Sequence, residues 1–257
     1  MLLTLDSSSI TNQSSNDFTI YFSSPLNVLK GVYELALVKC NLWYSYYNIS
    51  AALNNNVIAY TNNSSQTRVV TFPDGNYTIT QINAYLQSVM LSYGDNSGTT
   101  FYITIAPDYT TIKVQITLAN SYQLDLTRSN FNLLLGWNQA IYNFTGSQEG
   151  SDPANINNDI NSLLIHCDII GQTYQNNLAS DILYTFVPNV PPGSNIEVQP
   201  MPKLIYLPIK IPDFIYNIRM YITDQLNRPL DLNGQPVTYL LHIRKQSTPY
   251  SPTIQNI

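Results

Sequence analysis

Charge is what this chain has least of. Only 11% of its 257 residues are Asp, Glu, Lys or Arg, less than half the share usual in soluble domains. A protein kept apart from its neighbours by colloidal repulsion carries more, so the composition points to a chain that ends in contact with other protein. Lys and Arg number 11 against 16 acidic residues, for a net charge of −5. They form no basic run or stripe, which speaks against sequence-specific nucleic-acid binding, since phosphate neutralisation needs clustered cations. Cysteine is nearly absent too, which excludes a disulfide scaffold. Cys40 and Cys167 lie inside apolar runs and read as buried thiols in a reducing compartment. No stretch approaches the about 18 continuous apolar residues of a membrane helix, and the N-terminus has neither a basic n-region nor an apolar h-region. The expectation is no membrane insertion and no classical secretion. Two histidines and two cysteines make no zinc set by spacing. There is no phosphate-cradling glycine loop, dinucleotide fingerprint or nucleophile elbow. No catalytic, cofactor-binding or metal-ligating residue is assigned, and the chain does not read as an enzyme.

What is present is a large apolar content, 44%, with polarity supplied by Asn, Gln, Ser, Thr and 20 Tyr. Tyr works half wet, one end apolar and the other hydrogen-bonding. From Lys203 to Lys245 apolar residues fall at every second position through three runs, the period of a half-buried strand. Ile205, Leu207, Ile209 and Ile211 form one inward set, with Pro208 and Pro212 fitting only an edge or bulge. Phe214, Tyr216, Ile218, Met220 and Ile222 form a second, and Val237, Tyr239, Leu241 and Ile243 a third. Turn formers from Asn227 to Gly234 join the last two. The stretch predicts three strands of a sandwich.

Taken from the start, residues 1–17 are polar after a short apolar opening and read as an N-terminal arm. Phe18, Ile20 and Phe22 then alternate as a strand. Val32 to Trp43 is apolar on both faces, the pattern of a central strand. After two short β runs at Val57 to Thr61 and Arg68 to Phe72 the period changes: Ile79, Ile82, Leu86, Val89 and Met90 recur at helical spacing, Thr78 and Gln81 make a capping box, and Gly94 closes the helix. A three-stranded meander over residues 101–126 and a short helix from Ser129 to Trp137, ended by Gly136, follow. Residues 146–159 read as the returning loop. Further strands are expected at Leu163 to Ile170, Asp181 to Val187 and Asn195 to Val198. The predicted fold is all-β dominated: a single jelly-roll β sandwich over residues 18–53 and 146–245, an inserted α+β unit over 54–145, and a C-terminal tail over 246–257.

Two local features invite a functional reading. His166, Cys167 and Asp168 are consecutive, but neighbours on a strand face opposite ways, so this thiol cannot be activated by this imidazole. Trp43, Tyr44, Tyr46 and Tyr47 form an aromatic patch, a candidate interaction surface or the end of a strand packed on the sandwich rim. Acids beside turn residues, Asp6, Asp74, Asp108 and Asp231 among them, read as caps of backbone amides rather than as a carboxylate pair.

The order of several motifs carries a resemblance. The run from Ser15 to Leu26, Tyr33 to Leu37, Phe72 to Ile79, Leu133 to Trp137, Asp224 to Gly234 and Leu241 to Arg244 together resemble the penton, or minor capsid, protein of Polinton (Maverick) elements and of related adintoviruses and virophages. The resemblance spans most of the chain. It implies a single jelly roll with an inserted domain, assembly as a homopentamer at the vertices of an icosahedral capsid, a double jelly-roll major capsid protein as partner, and residence in the virion after assembly inside the host cell. It brings no catalytic residues. A jelly-roll carbohydrate-binding or attachment module is the alternative, because aromatic rings stack on sugars while amides bond hydroxyls.

Overall fold

The computed structural model describes residues 1–246 apart from 11, 12, 30, 120, 159 and 172. The chain divides into two compact units, residues 1–45 with 161–257, and residues 46–160.

The first unit is built on β1 (Leu2–Asp6), β2 (Asp17–Asn27), β3 (Tyr33–Trp43), β4 (Leu163–Cys167), β5 (Ile182–Phe186), β6 (Asn195–Val198), β7 (Phe214–Asp224) and β8 (Thr238–Lys245). One sheet runs β1-β8-β3-β6 and the other β5-β4-β7-β2, with antiparallel pairing throughout. Sequential strands alternate between the sheets except for β4 and β5, which are neighbours in the second one, and this order is that of a jelly roll. The inward faces carry Leu35, Leu37, Cys40, Leu42, Ile165, Cys167, Ile218, Met220, Ile222, Tyr239, Leu241 and Ile243, all buried. Phe18 and Tyr239 stack at the centre with ring centroids 5.9 Å apart.

Several expectations need correction. Residues 1–17 are not simply an arm. β1 pairs with β8 from Leu2 opposite His242 to Asp6 opposite Thr238, Leu5 is buried, and Ser7 exchanges bonds with Val237, its amide donating to the carbonyl at 3.0 Å and its hydroxyl accepting from the amide at 2.8 Å. Five residues are too short a run for their alternation to stand out from the polar sequence that follows.

The inward phase of β7 is also not uniform. Ile215 is buried, whereas Phe214 and Tyr216 are exposed. The pairing with β2 slips between Ile215 and Asn217, and such a bulge reverses which residues face in. On β2 the slip falls at residues 22–25, which include Pro25, a residue with no amide to offer a ladder.

The run from Ile205 to Ile211 is not a third sandwich strand. Leu207–Pro208 pairs beside β3 at Leu35 and Glu34, on the edge that β6 occupies farther along, and Ile209 makes an isolated bridge to Ile170. Ile205 is exposed. Pro208 and Pro212 limit the ladder there to a fragment.

In the second unit, α1 (Ile79–Ser92) begins as expected: the Thr78 hydroxyl accepts from the Gln81 amide at 3.2 Å and the Gln81 side chain accepts from the Thr78 amide at 2.8 Å. The helix buries Ile79, Ile82, Leu86 and Met90. The meander, however, is a hairpin of Ile103–Asp108 with Lys113–Leu118, completed by Gly146–Glu149. Gln123–Asp125 leaves it for a second sheet beside Val57–Thr61, with Thr67–Thr71 and Ile141–Tyr142 as the outer strands. The strand Gly146–Glu149 is exposed along its whole length, so it has no hydrophobic pattern. Its backbone pairing and a 2.7 Å bond between the Thr117 and Ser147 hydroxyls hold it. The insertion thus takes in residues 46–53 and 146–160, which the expected boundaries gave to the jelly roll. α2 (Phe131–Leu135) ends at Gly136, whose φ of 68° is left-handed, and a Cβ there would overlap the carbonyl oxygen of Asp152. The expected tail over 246–257 lies, but for Gln246, outside the described residues.

Candidate interaction surfaces

The aromatic patch does not form one exposed face. Trp43, at the end of β3 opposite Asn195 of β6, is 41% exposed. Tyr44 is half-buried, its amide donating to the Ser194 carbonyl at 2.9 Å. Both belong to the jelly-roll unit, whereas Tyr46 and Tyr47 belong to the insertion. Tyr46 is only 6% exposed and Tyr47 36%. Trp43 and Tyr47 are therefore the members with rings to offer a partner.

Other exposed aromatics follow from the bulge. On the outer face of the second sheet Tyr21 is 73% exposed and Tyr216 60%, and Phe214 lies 6.4 Å from Tyr216 between ring centroids. Their exposure was hidden in the sequence because strict alternation places Phe214 and Tyr216 inside. In the loop between β4 and β5 a hairpin of Thr173–Gln175 with Leu178–Ser180 turns at Asn176 and Asn177, both at positive φ, and leaves Tyr174 and Leu178 exposed. Asn tolerates that backbone better than most residues.

The same outer face holds a polar network that adjacency in sequence could not reveal. His166 Nδ1 lies 2.8 Å from Asp181 Oδ1, and its Nε2 lies 2.9 Å from Thr223 Oγ1. Tyr221 donates its hydroxyl to Asp181 at 2.8 Å and stacks on the imidazole, centroids 4.3 Å apart and planes 8° from parallel. Arg219 lies over the Tyr221 ring at 4.8 Å and forms a two-bond ion pair with Asp17 at 2.8 and 2.7 Å. The bonding order hydroxyl, imidazole, carboxylate is that of a nucleophilic triad. Thr223 and His166 are both buried, however, and the Thr223 hydroxyl donates to the Asp224 carbonyl at 3.0 Å, so its proton is not directed at the imidazole. Burial alone would raise the Asp181 carboxyl, but bonds from His166 and Tyr221 outweigh it and hold the group below its ordinary value. Burial raises the Asp168 carboxyl, which accepts from the Arg219 amide at 2.9 Å.

Cys40 and Cys167 are free and buried in the sandwich core, where burial pushes both thiols up, away from the reactive thiolate. Among the described residues no three His, Cys, Asp or Glu side chains gather as a metal site, and no helix is long and apolar enough to cross a membrane. The turn acids cap amides: Asp6 accepts from Ser8 at 2.8 Å, Asp74 from Ala51 at 2.8 Å, Asp108 from Thr110 at 2.7 Å and Asp231 from Asn233 at 2.8 Å.

Solved structures similar to the chain include two from virophages. A crystal structure of the mavirus penton protein aligns over 95% of this chain and 99% of that one, with 12% identity and a TM-score of 0.49. A chain of the Sputnik virophage structure aligns over 95% of this chain and 98% of that one, with 14% identity and a TM-score of 0.43. No family model and no curated protein matches the sequence.

Proposed function

We infer that this protein is a structural component of a viral capsid, a penton that closes into a homopentamer at the vertices of an icosahedral shell, beside a double jelly-roll major capsid protein. The observation that carries the reading is the strand order, β1-β8-β3-β6 against β5-β4-β7-β2, broken between β3 and β4 by a second compact unit. Jelly rolls of this order build capsid shells and lectins, and a fold alone does not choose between them. The surface supports the capsid. A ring needs one patch on each copy to meet a different patch on the next, and with 11% charged residues most of the wall loses little on desolvation. The order of motifs from Ser15 to Arg244 agrees. The place of action is then the virion, reached by assembly inside the host cell, and the role is structural rather than enzymatic.

One observation favours a carbohydrate-binding module instead: Trp43 is exposed with the Asn195 amide on the facing strand, a ring and an amide that suit a sugar. Negative-stain electron microscopy and a glycan array separate the two. Fivefold rings in class averages support the penton. Micromolar glycan binding by a monomer, lost in Trp43→Ala, would replace it with the module.

A further inference from the structure

The first part of the outer edge of β2 is covered by the chain's own residues. Ile222 donates its amide to the Asn16 carbonyl at 3.0 Å, and Phe18 and Ile20 stand opposite Met220 and Ile218. Bonded pairs alternate in an antiparallel ladder, so residues 16, 18 and 20 turn their backbone groups to β7, and residues 17, 19 and 21 turn theirs outward. At two of these three positions the outward groups are taken. The Asp17 amide donates to the Ser14 carbonyl at 3.3 Å. The Thr19 amide donates to Gln13 Oε1 at 2.7 Å, and Gln13 Nε2 donates back to the Thr19 carbonyl at 3.4 Å. A Gln side chain carries the donor and the acceptor of a peptide group, and here it sits where the peptide group of a neighbouring strand would.

An open edge strand is a template for a strand of another copy. This one stands beside the exposed rings of Tyr21 and Tyr216, which would add apolar area to any such pairing. We propose that Gln13 is an edge guard: its amide, with the Ser14 carbonyl, blocks the addition of a second copy's strand to β2. The inference does not depend on the capsid reading, because an unwanted strand pairing threatens a ring and a monomer alike.

Gln13 is exposed, so Gln13→Ala leaves the core untouched and tests the guard directly. Hydrogen exchange read residue by residue in dilute protein should show the Thr19 amide exchanging about five- to tenfold faster in the variant, the worth of one hydrogen bond. At concentrations where the wild type keeps its size in light scattering, the variant should form larger species in which the outward amides of Tyr21 and Thr19 become protected. Unchanged Thr19 exchange would overturn the proposal. So would a variant that stays the size of the wild type, or larger species whose Tyr21 amide remains unprotected, since those would be joined by side chains and not by strands.

Discussion

Tyr239 carries its hydroxyl into the centre of the sandwich, fully buried and without a hydrogen-bond partner among the described residues. An unmet buried hydroxyl costs free energy that the ring's packing must offset. Tyr239→Phe keeps the stack on Phe18 and removes the orphan, so its unfolding free energy in urea should equal the wild type's or exceed it by about 1 kcal/mol; Tyr239→Ala should lose about 3–5 kcal/mol. A clear loss in the Phe variant would mean that the hydroxyl has a partner. Asp181 makes the opposite case. Its folded carboxyl is held below the ordinary 3.8, so its contribution to stability is fully present above that value and is lost as pH falls through the folded one. Urea midpoints between pH 6 and pH 3 should therefore fall more steeply for the wild type than for Asp181→Asn at the acid end. Parallel curves would contradict the bonding described. The link from His166 to Asp181 is not legible in the sequence, because Asp181 lies just before β5 and only the register of β4 with β5 brings it to His166.

At the scale of elements, regular patterns could be read and departures from them could not. The alternation of Val237, Tyr239, Leu241 and Ile243 places β8 correctly, and the helical spacing with the Thr78 and Gln81 cap places α1, since both obey one period without interruption. The bulge between Ile215 and Asn217 shifts the period inside a single run, so the sequence shows alternation while the structure reverses it. Gly146–Glu149 is a strand held by backbone pairing and one hydroxyl bond, and no apolar pattern announces it. Trp43 ends β3, but burial of Tyr46 depends on packing that sequence does not display. β1 leads to a test. Deleting residues 1–6 removes an edge strand and the buried Leu5, and should lower the thermal midpoint by several degrees, about 2–4 °C for each kcal/mol lost in a domain of this size. A deletion that leaves the midpoint unchanged would restore residues 1–6 to the status of an arm.

For the whole molecule, the sandwich and its insertion each bury an apolar core, and what remains outside is a neutral surface rich in hydroxyls and amides. Such a surface is poorly protected against self-association and well suited to an interface made by shape and hydrogen bonds. Exposed rings such as Trp43, Tyr21 and Tyr216 supply the apolar anchors that interfaces concentrate their energy on. The measurement that tests the penton reading most directly is native mass spectrometry of the full chain at micromolar concentration. A dominant species at five times the chain mass, with no open series of larger multiples, is the expected result; a monomer at every concentration would contradict it.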